Sequence, residues 1–164
     1  MSNKDIIRFM KKKLLIIGIL VSVLLAVLLV FKFIFPVDVY INRGAHMEPA
    51  LKDGDKVLLE NTKNYERGDI MVIKDPNDLN KYIIHRIIGL PNEVVQIKGG
   101  DVFINDIILN ESYAQDKTYP ERSITLSNNQ YYVLGDYRSK SADSRLFGPI
   151  DRDLIIGKVN NIVK

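Results

Sequence analysis

The chain has 164 residues, a formal net charge of +3 and no cysteine. That length suits one domain plus an accessory segment, and the missing thiols exclude disulfides, thiolate metal sites and cysteine nucleophiles. The positive charge sits at one end: residues 1–13 hold Lys4, Arg8, Lys11, Lys12 and Lys13 against Asp5, whereas the remainder carries 18 basic and 19 acidic side chains. With no basic stripe through the remainder, a nucleic-acid partner is disfavoured.

From Leu14 to Phe31 the chain runs eighteen residues without a charge. Lys32 interrupts, and Phe33-Ile34-Phe35 continue to Pro36. Roughly 20 apolar residues cross a bilayer core as a helix. A lysine near the far end snorkels its ammonium to the interface. A cleavable signal peptide has a shorter apolar core, of roughly 7 to 15 residues, and a small-x-small site after it. The exit Phe-Lys-Phe-Ile-Phe-Pro offers no such site. The expectation is therefore an uncleaved anchor over 14–35. The basic segment 1–13 should remain in the cytoplasm, and residues 36–164 should form a domain on the outer side of the cell membrane, because basic flanks stay inside.

Beyond Pro36 the hydrophobic period shortens. Val37–Ile41 alternates as a strand does. Asn42–Leu51 follows as a turn, and Lys52-Asp53-Gly54-Asp55 has turn chemistry. Strands are expected at 56–60, 70–73, 81–88, 94–97, 102–104, 107–108, 131–134 and 155–159. Gly99-Gly100 and Asn105-Asp106 mark hairpin turns. Residues 110–129 are polar and irregular, which predicts a surface loop. Roughly eight short strands with Gly, Asn and Asp between them, and no amphipathic helix, predict a mainly β domain, an antiparallel sandwich or partly open barrel.

The order of short motifs adds a resemblance. Gly44-x-x-Met47-Glu48-Pro49-x-Leu51 follows the anchor, then Lys52-x-Gly54-Asp55, then Arg67-Gly68-Asp69-Ile70. Next come Tyr82-Ile83-Ile84-His85-Arg86-Ile87-Ile88-Gly89-Leu90-Pro91 and the block Gly135-Asp136-Tyr137-Arg138-Ser139-Lys140-Ser141-Ala142-Asp143-Ser144-Arg145-Leu146-Phe147-Gly148. In this order the chain resembles the bacterial type I signal peptidases, membrane-anchored Ser-Lys proteases that remove signal peptides from exported preproteins. The family's nucleophilic serine precedes its Met-x-Pro, and here that position is His46. Its general-base lysine precedes the arginine of the middle block, and here that position is His85. Ala50 and Tyr137 are smaller departures, standing where the family has Thr or Ser and Asn.

The resemblance implies further roles. Gly44 and the backbone at 46 correspond to oxyanion support, Ser141 to the serine that orients the lysine, and Asp143 with Arg145 to a buttressing pair. Ser144 lies in the same block. The family chemistry implies no cofactor and no metal. A serine hydroxyl attacks the acyl carbon while a desolvated lysine takes its proton, and loss of the nucleophile in such a unit costs on the order of 10⁶ in rate. Three alternatives stay open. The first is a non-catalytic homologue that binds exported preproteins or pilin-like surface proteins, similar to the non-catalytic Gram-positive proteins that assist assembly of sortase-linked pili. The second is an active endopeptidase with a rearranged site, using His85 with water or the hydroxyl of Ser141 or Ser144. The third is a metal held by the two histidines, which are the chain's only two, with a carboxylate such as Asp143.

Overall fold

The computed structural model describes residues 3–34, 39–60 and 62–164. The chain divides into two units, Met1–Val37 and Asp38–Lys164. The first is one helix, α1 (Asn3–Ile34). Its stretch Met10–Val30 has 21 residues with a mean hydropathy of 3.0, and none of it is buried against protein. At 1.5 Å per residue this stretch is long and apolar enough to cross a membrane. The helix also runs back through the basic segment, because lysine and arginine are good helix formers and nothing there breaks the ladder. Phe35 to Asp38, which include the expected start of the first strand, and the Lys32 side chain lie outside the described residues.

The second unit holds eleven strands among its described residues. They are β1 (Val39–Ile41), β2 (Lys56–Glu60), β3 (Ile70–Asp75), β4 (Asp78–Gly89), β5 (Val94–Lys98), β6 (Asp101–Ile104), β7 (Ile107–Ile108), β8 (Arg122–Thr125), β9 (Gln130–Leu134), β10 (Ile150–Asp151) and β11 (Ile155–Val163). One sheet has the order β1-β2-β11-β3-β4-β9-β10 and the other β7-β6-β5-β8. Every strand pair in both sheets is antiparallel, so the mainly β expectation holds.

Turn chemistry sets the hairpins. Gly99 and Gly100 have φ of 59° and 84°, and Asn105 and Asp106 have 50° and 67°. Positive φ at both central residues matches the right-handed twist of the strands they join. The core forms in three parts, and β3 and β4 feed more than one. Met71 and Ile73 pack with Ile87, Tyr131, Val133 and Ile150. Val72, one step along β3, packs on the other face with Met47, Leu51, Val57 and Ile84. A strand buried on both faces needs no polar alternation, which is why β3 reads as a continuous apolar run. The second sheet closes over Ile88, Tyr132 and Leu134 through Val95, Ile97, Val102 and Ile104.

The stretch 110–129 is not simply a loop. It contains β8, which pairs with β5 along Arg122–Thr125, and it buries Thr118 and Leu126. Four residues with one apolar side chain give too short a pattern to stand out, and the strand exists because β5 offers an open edge. A helical turn, α2 (Ser144–Phe147), is present outside α1, with Asp143 as its N-cap. β10 pairs with β9, and β11 runs past the expected end at 159 to Val163.

Candidate functional site

The turn after β1 is built before it is used. Asn42 is fully buried. Its amide group donates to Gly44 O at 3.1 Å and Lys52 O at 2.9 Å, and its N–H donates to Asp55 O at 2.8 Å. Gly44 takes φ 88°, a conformation open to glycine, and its N–H donates to Asp53 Oδ1 at 2.7 Å. That donor, expected to support an oxyanion, is committed to the turn. Met47 and Leu51 drop into the core without exposure. With Met47 pinned inward, the neighbouring His46 faces β4, half-buried. Its Nε2 lies 2.9 Å from Ile84 O. A carbonyl only accepts, so Nε2 carries the proton. On its backbone side, His46 O accepts from Tyr137 N at 3.0 Å, which ties the turn to the chain leaving β9.

His85 sits on β4 opposite Met71 of β3 and is 2% exposed. The two imidazoles face each other, with ring centroids 5.1 Å apart and planes tilted by 33°. Phe147 packs edge-on against His85. The Nε2 of His85 is 3.2 Å from Ser141 Oγ, and its Nδ1 is buried without a partner. Burial, and secondarily the neighbouring His46, push the His85 pKa down to about 3. Burial also lowers His46, against the opposing pull of the Ile84 carbonyl. Both rings are therefore neutral at neutral pH.

Around this pair stands a frame of buried ions. Asp143 is fully buried. Its carboxylate accepts from Gly135 N at 3.0 Å and takes Arg145 through both oxygens, at 2.7 and 2.8 Å. Burial alone would raise its pKa, but the Arg145 guanidinium and the Gly135 N–H outweigh it and hold the carboxyl below its ordinary value. Arg145 also donates to Arg138 O at 2.6 Å and Tyr119 O at 3.1 Å. The buttress inferred from the resemblance thus joins β9, the 138–141 turn and the 110–129 stretch. Ser144 is fully buried, and its Oγ accepts from Val133 N at 2.9 Å. Its hydroxyl helps hold β9.

Three further parts were not singled out from the sequence. Arg86, next to His85, grips Asp136 through two bonds of 2.7 and 2.5 Å. Arg138 is 1% exposed, is held by Glu111 at 2.6 and 3.1 Å, and also donates to Thr118. A Cβ at Gly135 would lie 2.3 Å from Ser141 Oγ and 2.6 Å from His46 O, so only glycine lets the 46 turn approach the end of β9. Arg86, Asp136 and Gly135 all fall within the quoted motif blocks, which was the available signal. Glu111 lies in a polar stretch and carried none.

As a metal centre the arrangement is poor. Among the described residues no group of three or more His, Cys, Asp or Glu is placed to hold an ion. The protonated Nε2 of His46 cannot ligate while it donates to Ile84, and Asp143 is saturated by Arg145 and Gly135. What remains is two neutral imidazoles in a site with neither hydroxyl nor amine at the two positions.

The class defined so far is an antiparallel β domain that follows a helix of membrane-spanning length. The model of the family described as "Signal peptidase, peptidase S26" matches residues 13–164. Signal peptidase IB of Staphylococcus aureus is 34% identical over an alignment of 175 positions, covering 92% of this chain and 90% of that protein. Signal peptidase I of Bacillus licheniformis is 32% identical, covering 85% and 82%. The crystal structure of a signal peptidase I from Enterococcus faecalis superimposes with a TM-score of 0.54 at 26% identity, over 59% of this chain and 97% of that one. The chain belongs to the signal peptidase family, peptidase S26.

Proposed function

We propose that this chain is a membrane-anchored signal peptidase homologue that holds exported polypeptides in its cleft without cleaving them by the Ser-Lys route. One observation carries the proposal. The two dyad positions hold His46 and His85, and each Nε2 is already engaged, by Ile84 O and Ser141 Oγ respectively. A neutral imidazole donating to a backbone carbonyl is not an amide-cleaving nucleophile. In this reading residues 1–13 lie in the cytoplasm, 14–35 cross the membrane once, and 36–164 lie outside, following the basic flank. The partners are exported preproteins or pilin-like surface proteins of a Gram-positive envelope, held for assembly. Extended segments suit an antiparallel domain, because they add to a strand edge.

The test is a cleavage assay in detergent with a preprotein substrate, comparing this chain with the His46→Ser, His85→Lys double variant. The expected result is cleavage by the variant only, with uncleaved partner copurifying with the unaltered chain. Cleavage by the unaltered chain would sink the proposal.

A second reading has one observation in its favour, the approach of Ser141 Oγ to His85 Nε2 at 3.2 Å. With Nε2 unprotonated, Ser141 Oγ would bond to the acyl carbon while its proton passes to Nε2. That proton would go to the leaving amine as the C–N bond breaks, and water would then release the acyl group in the same way. Ser141 lines a cavity of about 530 Å³ with Tyr119, Pro120, Ala142 and Leu146. A fluorophosphonate that labels Ser141, with labelling lost in His85→Gln, would favour this reading. Absence of labelling would end it.

A further inference from the structure

Among the described residues, β1 and the first part of β4 each present an edge that no other strand covers. β1 pairs with β2 on one side only and ends its sheet. β4 pairs with β3 along most of its length, but with β9 only from Arg86 onward. Among the described residues, the stretch before Arg86 has no strand beside its second edge. Backbone groups on such edges are where an extended segment would add.

In this chain three of those groups, Ile41 N, Ile41 O and Ile84 O, already have partners, and the partners are side chains. The Tyr82 hydroxyl accepts from Ile41 N at 3.0 Å and donates to Ile41 O at 3.2 Å. A hydrogen-bonded residue in an antiparallel pair exchanges the same two bonds with its opposite number, so one phenolic oxygen stands in for a whole residue of a neighbouring strand. On the facing edge the His46 imidazole donates to Ile84 O, as a strand N–H would. Between them remains a cleft of about 70 Å³ lined by Ile41, Asn42, Arg43, Tyr82, Ile83 and Ile84. The Tyr82 ring is held in place by Tyr40, edge-on at a centroid distance of 5.0 Å.

We propose that Tyr82 and His46 form an internal latch: in the free protein they occupy the strand-pairing groups of β1 and β4, and an extended partner binds only by displacing both. The inference rests on the peptide-holding reading above and adds its regulation. His46 then has a role of its own at the vacated nucleophile position, because serine has no side-chain N–H and its hydroxyl stands much closer to the backbone than an imidazole Nε2 does. Each latch bond resembles the bond that replaces it, so the latch weakens partner binding without abolishing it.

The test uses the full chain in detergent micelles and a fluorescein-labelled peptide spanning the end of a signal peptide and the first mature residues of an exported protein. Binding is followed by anisotropy for the unaltered chain, Tyr82→Phe, His46→Ala and the double variant. Hydrogen exchange at the Ile41 amide is measured in parallel. Tyr82→Phe keeps the ring against Tyr40, so the fold is preserved. The expected result is faster exchange at Ile41 in Tyr82→Phe and binding tighter by about threefold to tenfold in each single variant. If the unaltered chain binds and neither variant binds more tightly, the latch is overturned and the peptide-holding reading stands. If Ile41 exchanges no faster in Tyr82→Phe, the latch is likewise overturned. If no form binds, both fall.

Discussion

Lowering the pH from neutral to 5 should destabilise this domain, and His85 is the reason. Folded, the ring resists protonation down to about pH 3 because it is buried, whereas its ordinary value is 6.5. Between those values the unfolded chain binds the proton and the folded chain does not. Stability therefore rises with pH across the window, is complete above 6.5, and is lost as pH falls below it. Each pH unit is worth about 1.4 kcal/mol, so moving to pH 5 costs about 2 kcal/mol. His46, also lowered by burial, adds to the loss with the same sign. Asp143 adds nothing to the loss at pH 5, because its stabilisation is fully present above the ordinary 3.8 and is lost only below it. Urea unfolding of the full chain in a neutral detergent, followed by near-UV circular dichroism of its eight tyrosines, reads this directly. With an m-value of about 2 kcal/mol per molar, the midpoint should fall by about 1 M between neutral pH and pH 5. His85→Gln removes the titrating group and should lose most of that shift. An unchanged midpoint in the parent chain, or an equal shift in His85→Gln, would refute the argument.

Other perturbations follow from the packing of the frame. Gly135→Ala places a methyl 2.6 Å from a backbone oxygen, His46 O, which cannot step aside as a flexible side chain does. The expected loss is about 1–3 kcal/mol in a denaturant melt, with faster hydrogen exchange at Tyr137, whose N–H bonds that oxygen. Asp143→Asn keeps an acceptor for Gly135 but strands Arg145, which is 9% exposed. A loss of about 3–5 kcal/mol is expected in the same melt, and a loss under about 1 kcal/mol would mean the pair is not a true buried ion pair.

The strands that could be read from the sequence are those bounded by turn residues with fixed demands. Gly99-Gly100 and Asn105-Asp106 set β5 to β7 almost to the residue, because positive φ at two consecutive positions leaves few alternatives. β8 and β10 were missed because their reason to exist lies in the edges of β5 and β9, far away in sequence. The site divides in the same way. His46 and His85 were legible as positions in motif blocks, as were Ser141, Asp143 and Arg145. Their hydrogen bonds were not, since Arg86 meets Asp136 across 50 residues and Arg138 meets Glu111 across 27. The bond from His46 to Ile84 was hidden for a further reason: motif matching treats His46 as a lost serine, whereas the fold gives its ring a partner.

The place of β11 in the larger sheet has a consequence for how the molecule comes to exist. This strand follows every other in sequence, yet it lies between β2 and β3 and is hydrogen-bonded to both. Without it, β1 and β2 share no strand ladder with β3 and β4 and meet them only through side chains, the packing of Val57 with Val72 and the bonds of Tyr82 and His46, and a two-stranded unit is at best marginally stable in water. Position 46 hangs from the first group and position 85 from the second. β11 is therefore the strand that ties the two halves of the site into one sheet, so a chain clipped before β11 should hold its cleft together by side-chain contacts alone.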